Sequence, residues 1–175
     1  MTHKILVAHD GSDNALRALD LAAEFSAKLK ADLTIIHVLM HGRPAEEMVR
    51  MAEAEHMVER AIKDIEPQFE RTSGPLSDFF DQARSDMETS RIVASLGEQL
   101  VENAKARCER AGAQHVTTLI RSGDYADAIL EVAKEQSADI IVIGSRGLGV
   151  VRGFMLGSVS HKVVQHADQT VVTVK

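Results

Sequence analysis

Ile140-Ile141-Val142-Ile143 is an unbroken run of branched apolar residues that stops at Gly144. Such a run leaves no polar face for water, so it suits a strand buried on both faces. Strands of that kind belong to parallel sheets covered by helices on each side. Ile5-Leu6-Val7-Ala8 is a second run of the same kind, ending at the turn signal Asp10-Gly11-Ser12-Asp13. Leu33 to Val38, Val116 to Ile120 and Val171 to Val174 bring the number of expected strands to five.

Helical periodicity fills the intervals. Ala15, Leu19, Ala22, Phe25 and Leu29 recur every three or four residues, and Ser12 or Asp13 is placed to cap their helix. Val93, Leu96, Leu100, Ala104, Cys108 and Ala111 form a second stripe, ending near Ala111-Gly112. Gly123-Asp124 opens a third helix with Ala126, Ile129, Leu130 and Ala133 on one face, and a short helix is expected near Ser158 to His166. Strands separated by helices imply an α/β fold: a doubly wound open parallel five-stranded sheet, order 3-2-1-4-5, with helices on both faces. At 175 residues one domain, 1–175, is expected.

Residues 41–90 exceed what a five-strand unit needs. They hold 12 acids and six bases, a difference of −6, which equals the net charge of the whole chain. This reads as an acidic helical insertion after strand 2. Met48, Met51, Val58, Ile62 and Ile65 follow helical spacing, and Pro67 with Ser73-Gly74-Pro75 should end that helix. A further helix is expected to begin near Ser77 or Asp78 and to run toward Ala111. A stripe of this kind is most simply packing; the segment's place after strand 2 suggests a lid or a surface for a protein partner.

The chemistry gathers after the most apolar strand. Gly144-Ser145-Arg146-Gly147 follows it directly, and Gly157-Ser158 opens the short helix. From Gly144 to Lys162 the chain carries Arg146, Arg152 and Lys162 and no acid. Glycines let backbone N–H groups approach a ligand with no Cβ in the way. A helix N-terminus adds unpaired donors and the positive end of a dipole. Together they make a phosphate site, with the hydroxyls of Ser158 and Ser160 as further donors. In open parallel sheets ligands bind beyond the carboxyl ends of strands where strand order reverses. That crevice would hold Asp10, placed to accept from a ribose, and the end of strand 2 at Val38, offering backbone to a base. Taken singly, each feature has a plainer role. Gly-x-x-Gly and Asp10-Gly11 are turn signals, and Ser158 is a helix cap. Their combination favours binding.

Other classes are excluded or weakly supplied. Net charge −6 argues against a basic nucleic-acid binder, and with no Trp, one Tyr and five Phe there is little to stack bases on. Cys108 is the only cysteine, so neither an internal disulfide nor a thiolate metal site is available, and its place on an apolar stripe makes it a core thiol. His37, His115, His161 and His166 show no metal-ligand spacing. No Gly-x-x-x-x-Gly-Lys-Ser/Thr, Gly-x-Ser-x-Gly or His-Glu-x-x-His pattern occurs. No apolar run approaches the ~18 residues of a membrane span, and Met1 to Asp10 has no signal-peptide pattern, so a soluble cytoplasmic protein is expected.

Val7-Ala8-His9-Asp10-Gly11-Ser12, Ile36-His37-Val38, Gly123-Asp124 and Gly144-Ser145-Arg146-Gly147 with nine residues before Gly157-Ser158-Val159-Ser160 resemble the universal stress protein family. The likeness covers residues 3–40 and roughly 91–175, and the spaced glycines are those of its ATP-binding subgroup. The resemblance implies that Asp10 meets the ribose, that Val38 contacts adenine through its backbone and that Gly123 lies near the nucleotide. It implies that Gly144, Gly147, Gly157, Ser158, Val159 and Ser160 hold the phosphates; Arg146, by its charge in the acid-free loop, is a further candidate beside them. Thr170 stands where the family often has proline. The expected ligand is ATP, with Mg2+ bridging its phosphates and no protein metal site. A homodimer through the last strand is expected, since Val171, Val172 and Val174 make that edge apolar. The expected role is a nucleotide-dependent stress-response or signalling module. A slow ATPase or nucleotidyl-transfer enzyme and a nucleotide-independent interaction module are the alternatives. Binding groups are evident, whereas a base to activate water is not.

Overall fold

The computed structural model describes residues 3–39, 86–147 and 156–175. Their elements run β1 (Lys4–Ala8), α1 (Asp13–Leu29), β2 (Asp32–Leu39), α2 (Asp86–Arg110), β3 (Gln114–Ser122), α3 (Tyr125–Glu135), β4 (Ile140–Gly144), α4 (Ser158–His166) and β5 (Thr170–Val174). The Met48–Ile65 stripe, the helix start near Ser77 and Arg152 lie outside the described residues; α2 accounts for the segment from Asp86 onward.

The sheet has the expected order, β3-β2-β1-β4-β5, and every pairing is parallel. β1 is central: Ala8 is opposite Ile36 on one side and Ile143 on the other. Alternation along each strand divides the core into two layers. Ile5, Val7, Leu33, Ile35, Val116 and Val142 pack with α1 and with Ala104 and Cys108 of α2. Leu6, Ile36, Val38, Ile141 and Ile143 face α3 and Val163 of α4. No helix among the described residues is long and apolar enough to cross a membrane.

Helix α1 starts as expected, with Ser12 Oγ accepting the Ala15 N–H at 3.2 Å. Its inward face differs from the periodic reading. Ala15, Ala18, Leu19, Ala22, Ala23 and Ser26 are buried, Phe25 is half-buried, and Leu29 is 49% exposed. The helix ends at Lys30 in left-handed conformation (φ 52°), so Leu29 sits at a terminus with nothing to cover it. Ser26 takes the inward place because its hydroxyl has work there: it donates to the Ala31 carbonyl at 2.7 Å and accepts the Gln114 N–H at 3.1 Å. On α2, Val93, Leu96, Leu100, Ala104 and Cys108 are buried as expected, but Ala111 is exposed. Ala111 falls past the helix end, and Gly112 (φ 90°) turns the chain toward β3.

At the last strand, Thr170 donates its N–H to the Asp139 carbonyl at 3.2 Å, a bond that proline could not make. Arg107 of α2 grips Asp20 of α1 with Nε at 2.6 Å and Nη2 at 2.8 Å, and this pair holds the Asp20 carboxyl below its usual range. Both side chains are about half exposed, so the pair fixes orientation more than it stabilises.

Burial, with the Asp20 carboxylate nearby, pushes the Cys108 thiol up to about 12. Only a thiolate is alkylated rapidly. Iodoacetamide at pH 8 should therefore leave the native chain unmodified over a period in which the urea-unfolded chain reacts completely. Rapid modification of the native protein, read by mass, would contradict this placement.

Candidate functional site

The carboxyl ends of β1, β2, β3 and β4 lie side by side, and Asp10, Val38, Gly123, Gly144, Arg146 and Gly147 fall at or just past those ends, whereas Gly157 to Ser160 open α4. β1 stops at Ala8, and His9 gives one more backbone bond, to the Ile36 carbonyl at 2.9 Å. The chain then turns at Gly11, whose φ of 85° suits a residue without Cβ. Inside that turn Asp10 Oδ1 accepts the Ser12 N–H at 3.0 Å. The Asp10 side chain is thereby held on one oxygen, and Oδ2 faces Gly147. A Cβ at position 147 would strike Oδ2 at a separation that real Cβ atoms essentially never show. Asp10 and the glycine loop therefore meet, across 137 positions of sequence (147 − 10).

The glycines have different reasons for being glycine. At Gly144 a Cβ would stand 3.0 Å from Ala15 N and from the Asn14 carbonyl carbon, so its absence lets the first turn of α1 close on the end of β4. Gly157 lies beside Arg146 and Ser145 at ordinary contact distance, and its N–H donates to the Ser145 carbonyl at 2.7 Å. Ser145 in turn donates its N–H to the Val174 carbonyl. This chain of backbone bonds holds the start of α4 against the end of the sheet. Gly123, with φ 147° and open space around it, ends β3 and donates to the Leu39 carbonyl at 2.9 Å, which places it one residue from Val38 on the neighbouring strand.

Helix α4 is capped by Gly157, not Ser158, and no side chain accepts from its first turn. Ser158 is the first helical residue and is exposed; Val159 is half-buried. Ser160 is buried, and its hydroxyl faces the Ser145 carbonyl at 2.8 Å and the Gly157 carbonyl at 3.0 Å. Its one proton is thus engaged inside the protein. The backbone N–H groups of this turn are the donors that the helix leaves over.

The cation set is smaller in space than in sequence. Arg146 is exposed at the site. Lys162 instead reaches the start of α3, where its Nζ lies 2.7 Å from Asp127 and 3.2 Å from Asp124. Those carboxylates raise its pKa. Asp124 caps α3 by accepting the N–H groups of Ala126 and Asp127 at 3.1 Å, and these bonds together with Lys162 hold its carboxyl low. The stretch 144–162 has no acid in sequence, but α3 supplies two in space.

Two buried histidines were not part of the expected site. His9 is 4% exposed and His37 2%, and His37 Nδ1 lies 2.8 Å from the His9 carbonyl. The available signal is the strand alternation, continued from Ile5 and Val7 to His9 and from Leu33 and Ile35 to His37. Among the described residues no group of three or more His, Cys, Asp or Glu side chains is arranged to hold a metal.

The model of the family described as the universal stress protein family matches residues 1–175. Universal stress protein YxiE of Bacillus subtilis is 34% identical over 175 residues, covering 100% of both chains. A solved universal stress protein in complex with cAMP is similar at a TM-score of 0.60 and 22% identity, over 99% of this chain and 96% of that one. The universal stress protein from Archaeoglobus fulgidus in complex with dAMP gives 0.59 and 20%, over 100% and 98%.

Burial lowers the His9 pKa from 6.5 to about 4; Asp10 opposes the shift, and His37 adds to it. The folded state therefore holds His9 neutral while the unfolded chain takes up a proton near pH 6.5. Stability is fully present above that pH and is lost as pH falls toward about 4, by up to about 3 kcal/mol. Urea midpoints between pH 7.5 and pH 4.5 should fall less in a His9→Asn variant than in the natural chain. Parallel curves would show that His9 is not the group responsible.

Proposed function

The chain belongs to the universal stress protein family, and on that premise we propose that it is an ATP-binding member whose nucleotide state sets its conformation or choice of partner. The observation that carries this reading is the approach of Gly147 to the free side of the Asp10 carboxylate. A side chain at 147 would fill the space, and a ribose hydroxyl is the kind of donor that a half-satisfied carboxylate accepts. The relatives in complex with cAMP and dAMP support an adenine nucleotide as the ligand class.

In this reading Asp10 takes the ribose, and the backbone at Val38 meets adenine with Gly123 close by. Gly144, Gly147 and Gly157 line the phosphates. The N–H groups of Ser158, Val159 and Ser160 donate to them, helped by the positive end of α4. Arg146 supplies charge, and Lys162 is left to α3. Mg2+ would be held chiefly by the phosphates and would neutralise them. Asp10 is the only carboxylate among the residues assigned here, and it is tied to the Ser12 N–H, which makes it a poor base for activating water. Turnover, if measured, should be that of a slow ATPase at most.

Assembly is proposed through β5. Thr170 donates to β4 and Val174 accepts from Ser145, so the even-numbered residues of β5 bond inward. Val171 and Thr173 then turn their N–H and C=O groups to the open edge, where a second copy would pair. The acidic segment 41–90 is proposed as the surface for a protein partner, on its charge alone.

Calorimetry should detect ATP binding that Gly147→Val weakens by tenfold or more, with the fold retained. Undiminished affinity in that variant would remove the site assignment. Light scattering at tens of micromolar should find a homodimer, and Thr173→Pro, which deletes an outward N–H, should shift it to monomer. A natural chain that is already monomeric there would overturn the edge pairing.

A further inference from the structure

The carbonyl immediately before Asp10 has an unusual partner. β1 ends at Ala8, while β2 runs on to Leu39, so the ladder between them opens at His9. The His9 N–H still reaches the Ile36 carbonyl at 2.9 Å. Its carbonyl meets a side chain instead, the Nδ1 of His37 at 2.8 Å, in a buried setting. A carbonyl only accepts, so Nδ1 must carry the proton, which fixes the tautomer of His37. The ring is 2% exposed and is seated from the other side by α2. A Cβ at Gly97 would come within 3.3 Å of the His37 Cδ2.

We propose that His37 is a positioning residue of the nucleotide site: its Nδ1–H holds the His9–Asp10 peptide and so aims the Asp10 carboxylate at the ribose. The His9 carbonyl and the Asp10 N–H belong to one planar unit, so fixing the carbonyl fixes where the Asp10 Cα begins. The Ser12 N–H on Oδ1 fixes the other end. Between the two anchors, Oδ2 is left facing Gly147. Without the His37 bond, the peptide at the strand end is free to rotate, and the carboxylate swings with it. This proposal rests on the ATP reading above.

The test compares ATP with 2′,3′-dideoxy-ATP, which lacks the hydroxyls that Asp10 would accept from. Asn places an amide N–H near the position of imidazole Nδ1, whereas Gln places it near Nε2, so His37→Asn and His37→Gln separate the bond from the bulk. The natural chain should prefer ATP by about tenfold or more, as hydrogen bonds to a charged acceptor imply. His37→Gln should reduce that preference to about twofold or less while leaving dideoxy-ATP binding in place, and His37→Asn should keep it. An unchanged preference in His37→Gln, or equal loss in both variants, overturns the proposal while the ATP reading stands. Failure of the natural chain to bind ATP overturns the functional reading, and the proposal with it.

Discussion

Everything at the carboxyl end of the sheet depends on β1 being paired on both sides. With β2 and β4 as parallel neighbours, β1 has no edge and no wet face, and Leu6 and Val7 are fully buried. β3 lies outside β2 and β5 lies outside β4, so the strand order reverses at β1, the place where open parallel sheets form a crevice. His9 to Ser12 are the residues that the chain must place there. Their polar groups are consumed in sequence: backbone to Ile36, carbonyl to His37, carboxylate to Ser12, hydroxyl to the first turn of α1. The second carboxylate oxygen faces Gly147.

Strand order followed from strands alternating with helices, and the central strands were legible as apolar runs, whereas β3, expected over Val116 to Ile120, runs Gln114–Ser122 with exposed residues at both ends. Ile140-Ile141-Val142-Ile143 is such a run, and its branched side chains favour a strand. Helix faces were legible only in their middles. Leu29 and Ala111 keep the period yet fall on the last residue of α1 and just past the end of α2, and the period carries no information about where covering elements stop. Ser26 shows the reverse: a polar residue on the buried face, invisible to an apolar count, held there by Ala31 and Gln114.

The candidate site was legible as a set of backbone positions and less so as side chains. Asp10, Val38, Gly123, Gly144 and Gly147 all come to the strand ends, since topology alone puts them there. The roles of Ser160 and Lys162 depend on partners that adjacency in sequence does not reveal. Ser160 turns to Ser145 and Gly157, and Lys162 turns to Asp124 and Asp127 from a different βα unit. Local charge along a chain is a weak guide to local charge in space when two loops share one end of a sheet. His9 and His37 were passed over for another reason. Histidine counts as polar in a strand pattern, whereas here each ring fills a core position.

Gly144 and Gly147 stand three residues apart under unequal constraint. Gly144 is enclosed by the backbone of α1, so any side chain there would push apart two elements of the fold. Among the described residues Gly147 meets only the carboxylate of Asp10, a side chain that can move aside where backbone cannot. Under the proposed function, a lineage that stopped binding nucleotide would be free to drift at 147 and 10 together, yet would remain bound to glycine at 144. On that reading glycine at the first position is a record of architecture, and glycine at the second is a record of use.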